Sequence, residues 1–139
     1  MLRVIRRLQQ TAPIPVRSTF LGAHTIPQQY KENRQAYIDL IINEMLQQIE
    51  KEGLADYIDV FCEEGFFTPQ ETEIICNAGD RIGLKPKIHA NQLKVSGGVQ
   101  AGISVDAVSV DHLESMDDPA IKALAQSNTI GTLLPTAAF

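Results

Sequence analysis

Few of the usual signals of chemistry are present in this sequence. It has two cysteines, three histidines and no cluster of lysine or arginine. Cys62 and Cys76 lack the spacing of metal ligands, and without a secretory signal both are expected to be reduced thiols. The 12 basic residues are scattered and outnumbered by 17 acidic ones, for a formal net charge of −5. That balance speaks against nucleic acid as a partner. No apolar run is long enough to span a bilayer, so no membrane partner is expected. The opening stretch MLRVIRRLQQ has arginines but neither an apolar core nor a small-residue cleavage site, so it is no secretory signal. The expected location is cytoplasmic. The glycine-bearing run SGGVQAG fits neither GxGxxG nor the Walker spacing and does not follow the first strand, which makes it a weak phosphate loop.

The chain does carry the patterning of a packed α/β protein. Its 139 residues, 44% apolar and 21% charged, suffice for one domain with a core. Val16–Ala23 reads as a strand. Gln28–Glu52 reads as one long helix with Tyr30, Tyr37, Ile38, Ile41, Ile42, Met45, Leu46 and Ile49 on its apolar face, capped by Gly53. Tyr57–Glu63 is a second strand. Thr68, Pro69 and Glu71 combine an N-cap, an N1 proline and a capping-box acid, so a helix starts there and runs to about Ile82. Lys87–Ala90 is a third strand. SGGVQAGISV holds a short helix, and Ala107–Val110 is a fourth strand. Asp118-Pro119 opens a helix with Ile121, Leu124 and Ala125 inward, and Thr129–Leu134 is a fifth strand. Alternation of this kind predicts a parallel sheet with crossover helices.

The three histidines all fall where predicted strands end: His24 in TFLGAH, His89 in KPKIHA and His112 in AVSVDHLE. In parallel α/β folds chemistry collects at those ends. Imidazole is both the commonest neutral metal ligand and a proton carrier near neutral pH. A hydrolytic site built around a metal is therefore the leading reading. Taken singly, each histidine has a plainer explanation. His89, flanked by Asn91 and Gln92, reads alone as a core histidine bonded to backbone. His112, between Asp111 and Glu114, is either an acid–base group oriented by carboxylates or part of a solvated turn. His24 follows the small pair Gly22-Ala23 and faces a pocket or nothing. Glu63 also sits at a strand end, while Cys62 reads as buried packing. Four polar residues at four successive strand ends favour the functional reading over four coincidences.

Five segments then acquire a further meaning: Thr19–His24 (TFLGAH), Asp59–Glu63 (DVFCE), Lys87–Gln92 (KIHANQ), Ser109–Glu114 (SVDHLE) and Leu133–Pro135 (LLP). In this order, and over nearly the whole chain, they resemble the middle of the imidazolonepropionases, histidine-degrading members of the amidohydrolase superfamily. The resemblance implies a metal-dependent (β/α)8 barrel of the TIM type, α/β in class, with residues 1–139 forming one incomplete domain of about strands three to seven. It implies His89 as a metal ligand for zinc or iron and His112 as the catalytic residue that polarises the carbonyl and shuttles a proton. His24 and Gln92 become substrate-binding residues. The implied reaction is hydrolysis of the small molecule 4-imidazolone-5-propanoate to N-formimidoyl-L-glutamate.

Two departures from the family stand inside the match: Asn91, expected to alter the surroundings of His89, and Gln29, each where an acid is common. The family's HxH metal ligands have no counterpart here, and its strand-eight aspartate would lie beyond Phe139. Met1 resembles an internal methionine. The expectation is thus a fragment, inactive alone, with open sheet edges that favour poor solubility or homo-oligomerisation. The alternatives are a small-ligand-binding open-sheet α/β domain without catalysis, and a related amidohydrolase acting on another cyclic amide.

Overall fold

A computed structural model describes residues 1–136; the expected exposed Phe139 lies outside the described residues. Five strands, β1 (Thr19–Ala23), β2 (Tyr57–Cys62), β3 (Lys85–Ala90), β4 (Ser109–His112) and β5 (Ile130–Leu133), form one sheet. All pairings are parallel, and the spatial order is the chain order, β1-β2-β3-β4-β5. A doubly wound sheet reverses direction at a switch point; this one never does. Monotonic parallel order with a helix after each strand from β1 to β4 is an arc of the (β/α)8 type, so the expected class holds. Among the described residues no helix is long and apolar enough to cross a membrane.

Helices α1 (Leu2–Thr11), α2 (Arg34–Leu40), α3 (Leu46–Glu52), α4 (Pro69–Asp80), α5 (Gly98–Ser104) and α6 (Asp118–Ala125) complete the chain. The helix expected over 28–52 is interrupted. Gln28–Tyr30 forms a 3-10 turn, Asn33 caps α2 by accepting the Ala36 N–H, and a π turn over Ile41–Met45 joins α2 to α3. The π turn changes which side chains are buried. Ile41 and Leu46, five apart, both point inward, while Ile42 and Met45 are only half-buried. A wider i→i+5 turn is what keeps the second half facing the sheet. Gly53 takes the left-handed conformation expected of a helix stop, with φ 60°. The Thr68–Glu71 capping box forms in full, with N–H···O distances of 2.8 and 3.2 Å.

Strand alternation sorts the sheet into two faces. Ile58, Val60, Cys62, Ile88, Ala90 and Val110 are fully buried against the helices. Burying each of the larger ones stabilises the fold by about 1.5–3 kcal/mol. Two glycines set the helix–sheet spacing: a Cβ on Gly79 would meet Ile58 at 2.7 Å, and one on Gly102 would meet Val110 at 2.4 Å. Within the SGGVQAG run, Gly102 thus has a packing role against β4. Asp59, Phe61, Lys87, His89, Ser109 and Asp111 alternate onto the opposite face.

Some boundaries differ from expectation. β4 lies two residues later than Ala107–Val110: its pairing with β3 runs from Ser109 opposite Lys87 to His112 opposite Ala90. On α6 Ala120 is buried and Leu124 packs against the core as expected, but Ile121 is 52% exposed and Ala125 is exposed, so the inward face is shifted towards Ala120. The N-cap there is Asp117, whose side chain accepts the Ala120 N–H.

Candidate active site at the strand ends

The register of β2, β3 and β4 places Phe61, His89 and Asp111 in one row across the sheet, with Asp59, Lys87 and Ser109 one layer below. From that row the three histidines meet. The His89 and His112 rings lie 5.2 Å apart, centroid to centroid, and His24 lies 6.2 Å from His89, nearly perpendicular to it. Phe61 is the floor between them: His24 stacks on it at 5.3 Å, and His89 meets its edge at 6.1 Å. His24 is exposed, His89 is half-buried and His112 is buried. Residues 24, 89 and 112, separated by most of the chain, thus come together at one end of the sheet.

Backbone geometry aims the second of these pairs. His112 and the following Leu113 both have positive φ, 86° and 66°. Two consecutive non-glycine residues in that region cost about 1–2 kcal/mol each, and such strain clusters at functional sites. The Leu113 N–H to Ala90 oxygen bond of 3.2 Å and the Ser115 N–H to Asn91 oxygen bond of 2.9 Å hold the strained turn in place. His112 Nδ1 lies 3.2 Å from Glu114 Oε1, as its sequence neighbourhood predicted. Asp111 does not join it. Its carboxylate pairs with Lys87 at 3.3 Å, and Lys87 also bonds the Ser109 hydroxyl.

His89 is held from the neighbouring strand. Its Nδ1 lies 3.0 Å from Oδ1 of Asp59. That bond raises the His89 pKa above the ordinary histidine value, against the opposing effect of burial. Asp59 carries a signal in the sequence itself, since a carboxylate inside the apolar strand YIDVFC asks for a buried partner.

The loop after β3 is anchored by two buried polar residues. Glu63, 3% exposed, accepts the N–H groups of Glu64 and Leu93 at 2.9 Å and of Lys94 at 3.4 Å. Asn91, fully buried with φ 53°, accepts from the Ser96 N–H and hydroxyl. Its side-chain amide therefore serves the loop. Gln92 is half-buried between these anchors, and its side chain has no hydrogen bond among the described residues. Cys62 is packing, as expected: burial raises its pKa to about 11. Among the described residues no group of three histidine, cysteine or acidic side chains could hold a metal ion.

No protein-family model matches the chain. Curated proteins do. An imidazolonepropionase of Christiangramia forsetii is 51% identical over 98% of this chain. One from Flavobacterium johnsoniae is 51% identical over 100% of it, and one from Geobacillus thermodenitrificans 45% identical over 99%. The chain belongs to the imidazolonepropionase family. It spans only about a third of these relatives, 33%, 34% and 32% of their lengths in the same order. Its sheet is accordingly a segment of an imidazolonepropionase barrel, the fold that the monotonic strand order already indicated.

Proposed function

We infer that the protein is an imidazolonepropionase, a cytoplasmic hydrolase that opens the cyclic amide of 4-imidazolone-5-propanoate to N-formimidoyl-L-glutamate. The observation that carries this reading is the convergence of His24, His89 and His112 at the carboxyl ends of β1, β3 and β4, around Phe61. Hydrolysis adds water across the ring C–N bond. His112 polarises the carbonyl, then carries a proton to the departing nitrogen, with Glu114 steadying its Nδ1. His24, stacked and exposed, and Gln92, half-buried and without a side-chain hydrogen bond among the described residues, bind the imidazolone ring and fix its orientation.

His89 serves as a metal ligand. Its Nδ1 is engaged by Asp59, which leaves Nε2 for a borderline cation such as zinc or iron. When bound, such an ion would supply Lewis acidity for the hydrolysis. A catalytic zinc needs about three protein ligands, and His89 alone does not make a site. The others would come from the part of the relatives' length that this chain does not match.

The deciding experiment measures hydrolysis of imidazolone propanoate, with zinc or iron added, by this chain and by a form extended to the relatives' length. Activity in the extended form, lost on His112→Ala, supports the reading. No activity in either form refutes the assignment of substrate. Activity in the short chain refutes the need for further metal ligands.

A further inference from the structure

Asp59 is the one charged side chain on β2 and is only 4% exposed. A carboxylate so placed is costly unless it is paired. Its single side-chain hydrogen bond among the described residues goes to His89 Nδ1. The bond is diagonal, since in register Asp59 faces Lys87, and Lys87 is engaged by Asp111 on the far side of β3. The same step recurs across the next pair of strands, Lys87 reaching up to Asp111, so each lower-layer group supports the upper-layer group of its neighbour. An ionised carboxylate only accepts hydrogen bonds. The proton between these two side chains therefore sits on Nδ1, and the neutral ring keeps its lone pair on Nε2.

We propose that Asp59 is a positioning residue: it fixes His89 as the Nδ1–H tautomer and holds the ring's orientation, making Nε2 the ligating atom. This rests on the reading of His89 as a metal ligand. Free imidazole side chains favour the opposite tautomer, with the proton on Nε2, so the assignment predicts a state the ring would not choose by itself. A bare salt bridge kept for stability would make no demand on Nε2. A carboxylate behind a ligating histidine also raises the ligand's basicity, and removing such a partner typically weakens metal affinity about 10–100-fold.

Long-range proton–nitrogen NMR correlation on histidine-labelled protein reads the tautomer directly, and with only three histidines each ring is assigned from His→Gln variants. At a pH where the rings are neutral, wild-type His89 is expected with a protonated Nδ1 and a bare Nε2. Asp59→Asn keeps that pattern, because its amide oxygen accepts the same proton. Asp59→Ala moves the proton to Nε2 while His24 and His112 stay unchanged. A wild-type His89 with its proton on Nε2, or with the tautomer mixture of a free ring, overturns the proposal. The wild-type spectrum decides it even if the alanine variant does not fold. In the form extended to the relatives' length, Asp59→Ala is expected to lower zinc affinity about 10–100-fold. Unchanged zinc affinity in His89→Ala would remove the ligand reading but leave the tautomer assignment standing, so the two failures are distinguishable.

Discussion

Gly98 offers the sharpest test of how tightly the site is built. It is the first residue of α5 and is buried where that helix meets the ends of β2 and β3. A Cβ there would lie 3.0 Å from the Cβ of Ala90, 3.1 Å from its Cα and 3.2 Å from the Cys62 carbonyl oxygen. Two of these three neighbours are main-chain atoms, and Ala90 itself is fully buried, so nothing flexible can swing aside. Overpacking of this kind costs about 1–3 kcal/mol. Alanine recovers up to about 1 kcal/mol of helix propensity, less in a first turn. The net expectation for Gly98→Ala is a loss of about 1–2 kcal/mol, a fall in melting temperature of roughly 3–7 °C. Because Ala90 directly follows His89, the His89 and His112 ring resonances should shift as well. Gly53→Ala is the control: φ is 60° and nothing lies within 4 Å, so only the left-handed backbone cost of about 1 kcal/mol applies. Urea unfolding and histidine NMR of both variants would decide the matter. A Gly98→Ala protein as stable as wild type, with unmoved histidine signals, would refute the close approach of α5 to the strand ends.

Three further outcomes are expected. Arg34→Ala removes a two-pronged contact to Glu71, at 2.7 and 3.1 Å, and a bond to the Phe66 oxygen, for a loss of about 1 kcal/mol at neutral pH. Burial raises the Glu71 pKa, but Arg34 and Thr68 outweigh it and hold the carboxyl below its ordinary value. The stability it contributes is present above the unfolded value of about 4.3 and lost as pH falls through the folded one, so the wild-type advantage in urea midpoint should shrink on acidification. Thr68→Ala should cost about 1 kcal/mol by the same measurement, since it strips the Glu71 N–H of its cap; an unchanged midpoint would mean the box contributes nothing. Cys62 and Cys76 are both buried, with pKa values raised by burial, so a thiol reagent at neutral pH should label them only in denaturant. Rapid labelling of the native chain would contradict the packing at β2 and α4.

Local chemistry made some of the fold readable in advance. Thr68, Pro69 and Glu71 write a helix start within four residues, and the observed capping box obeys them. Gly53 announces a stop in the same way. Where tertiary packing intervened, reading from pattern alone failed. The apolar face over 28–52 looks continuous because Ile42 and Met45 fit a 3.6-residue period, yet across the π turn they are left only half-buried at the margin of the core. On α6 residue size is a partial guide for a related reason: Leu124 packs against the core as its size suggests, but Ala120 lies in the tight contact and Ile121 faces out. Residue size marks burial only where there is room for it.

The site divides along the same line between local and distant information. Strand-end placement brought out His24, His89 and His112 because each is punctuated by its own segment, and they converge because parallel strands share a direction. Partners across strands were harder to read. Asp111 was assigned to His112, its chain neighbour, yet adjacent strand residues point to opposite faces. Asp111 accordingly turns to Lys87, on the face that it shares through the register of β3 and β4. His112 escapes that alternation only because its own φ is positive, which no sequence pattern announced. The role of Asp59 is hard to read locally because its partner lies 30 residues on, in the next strand. Register is the missing quantity in each case. Once β2, β3 and β4 are aligned, the Asp59–His89 and Lys87–Asp111 pairs both follow from a single diagonal step. Shifting the β2–β3 register by one residue would send Asp59 to the helix face and strip His89 of its carboxylate. The geometry of the histidine cluster therefore depends on strand alignment as much as on the histidines themselves.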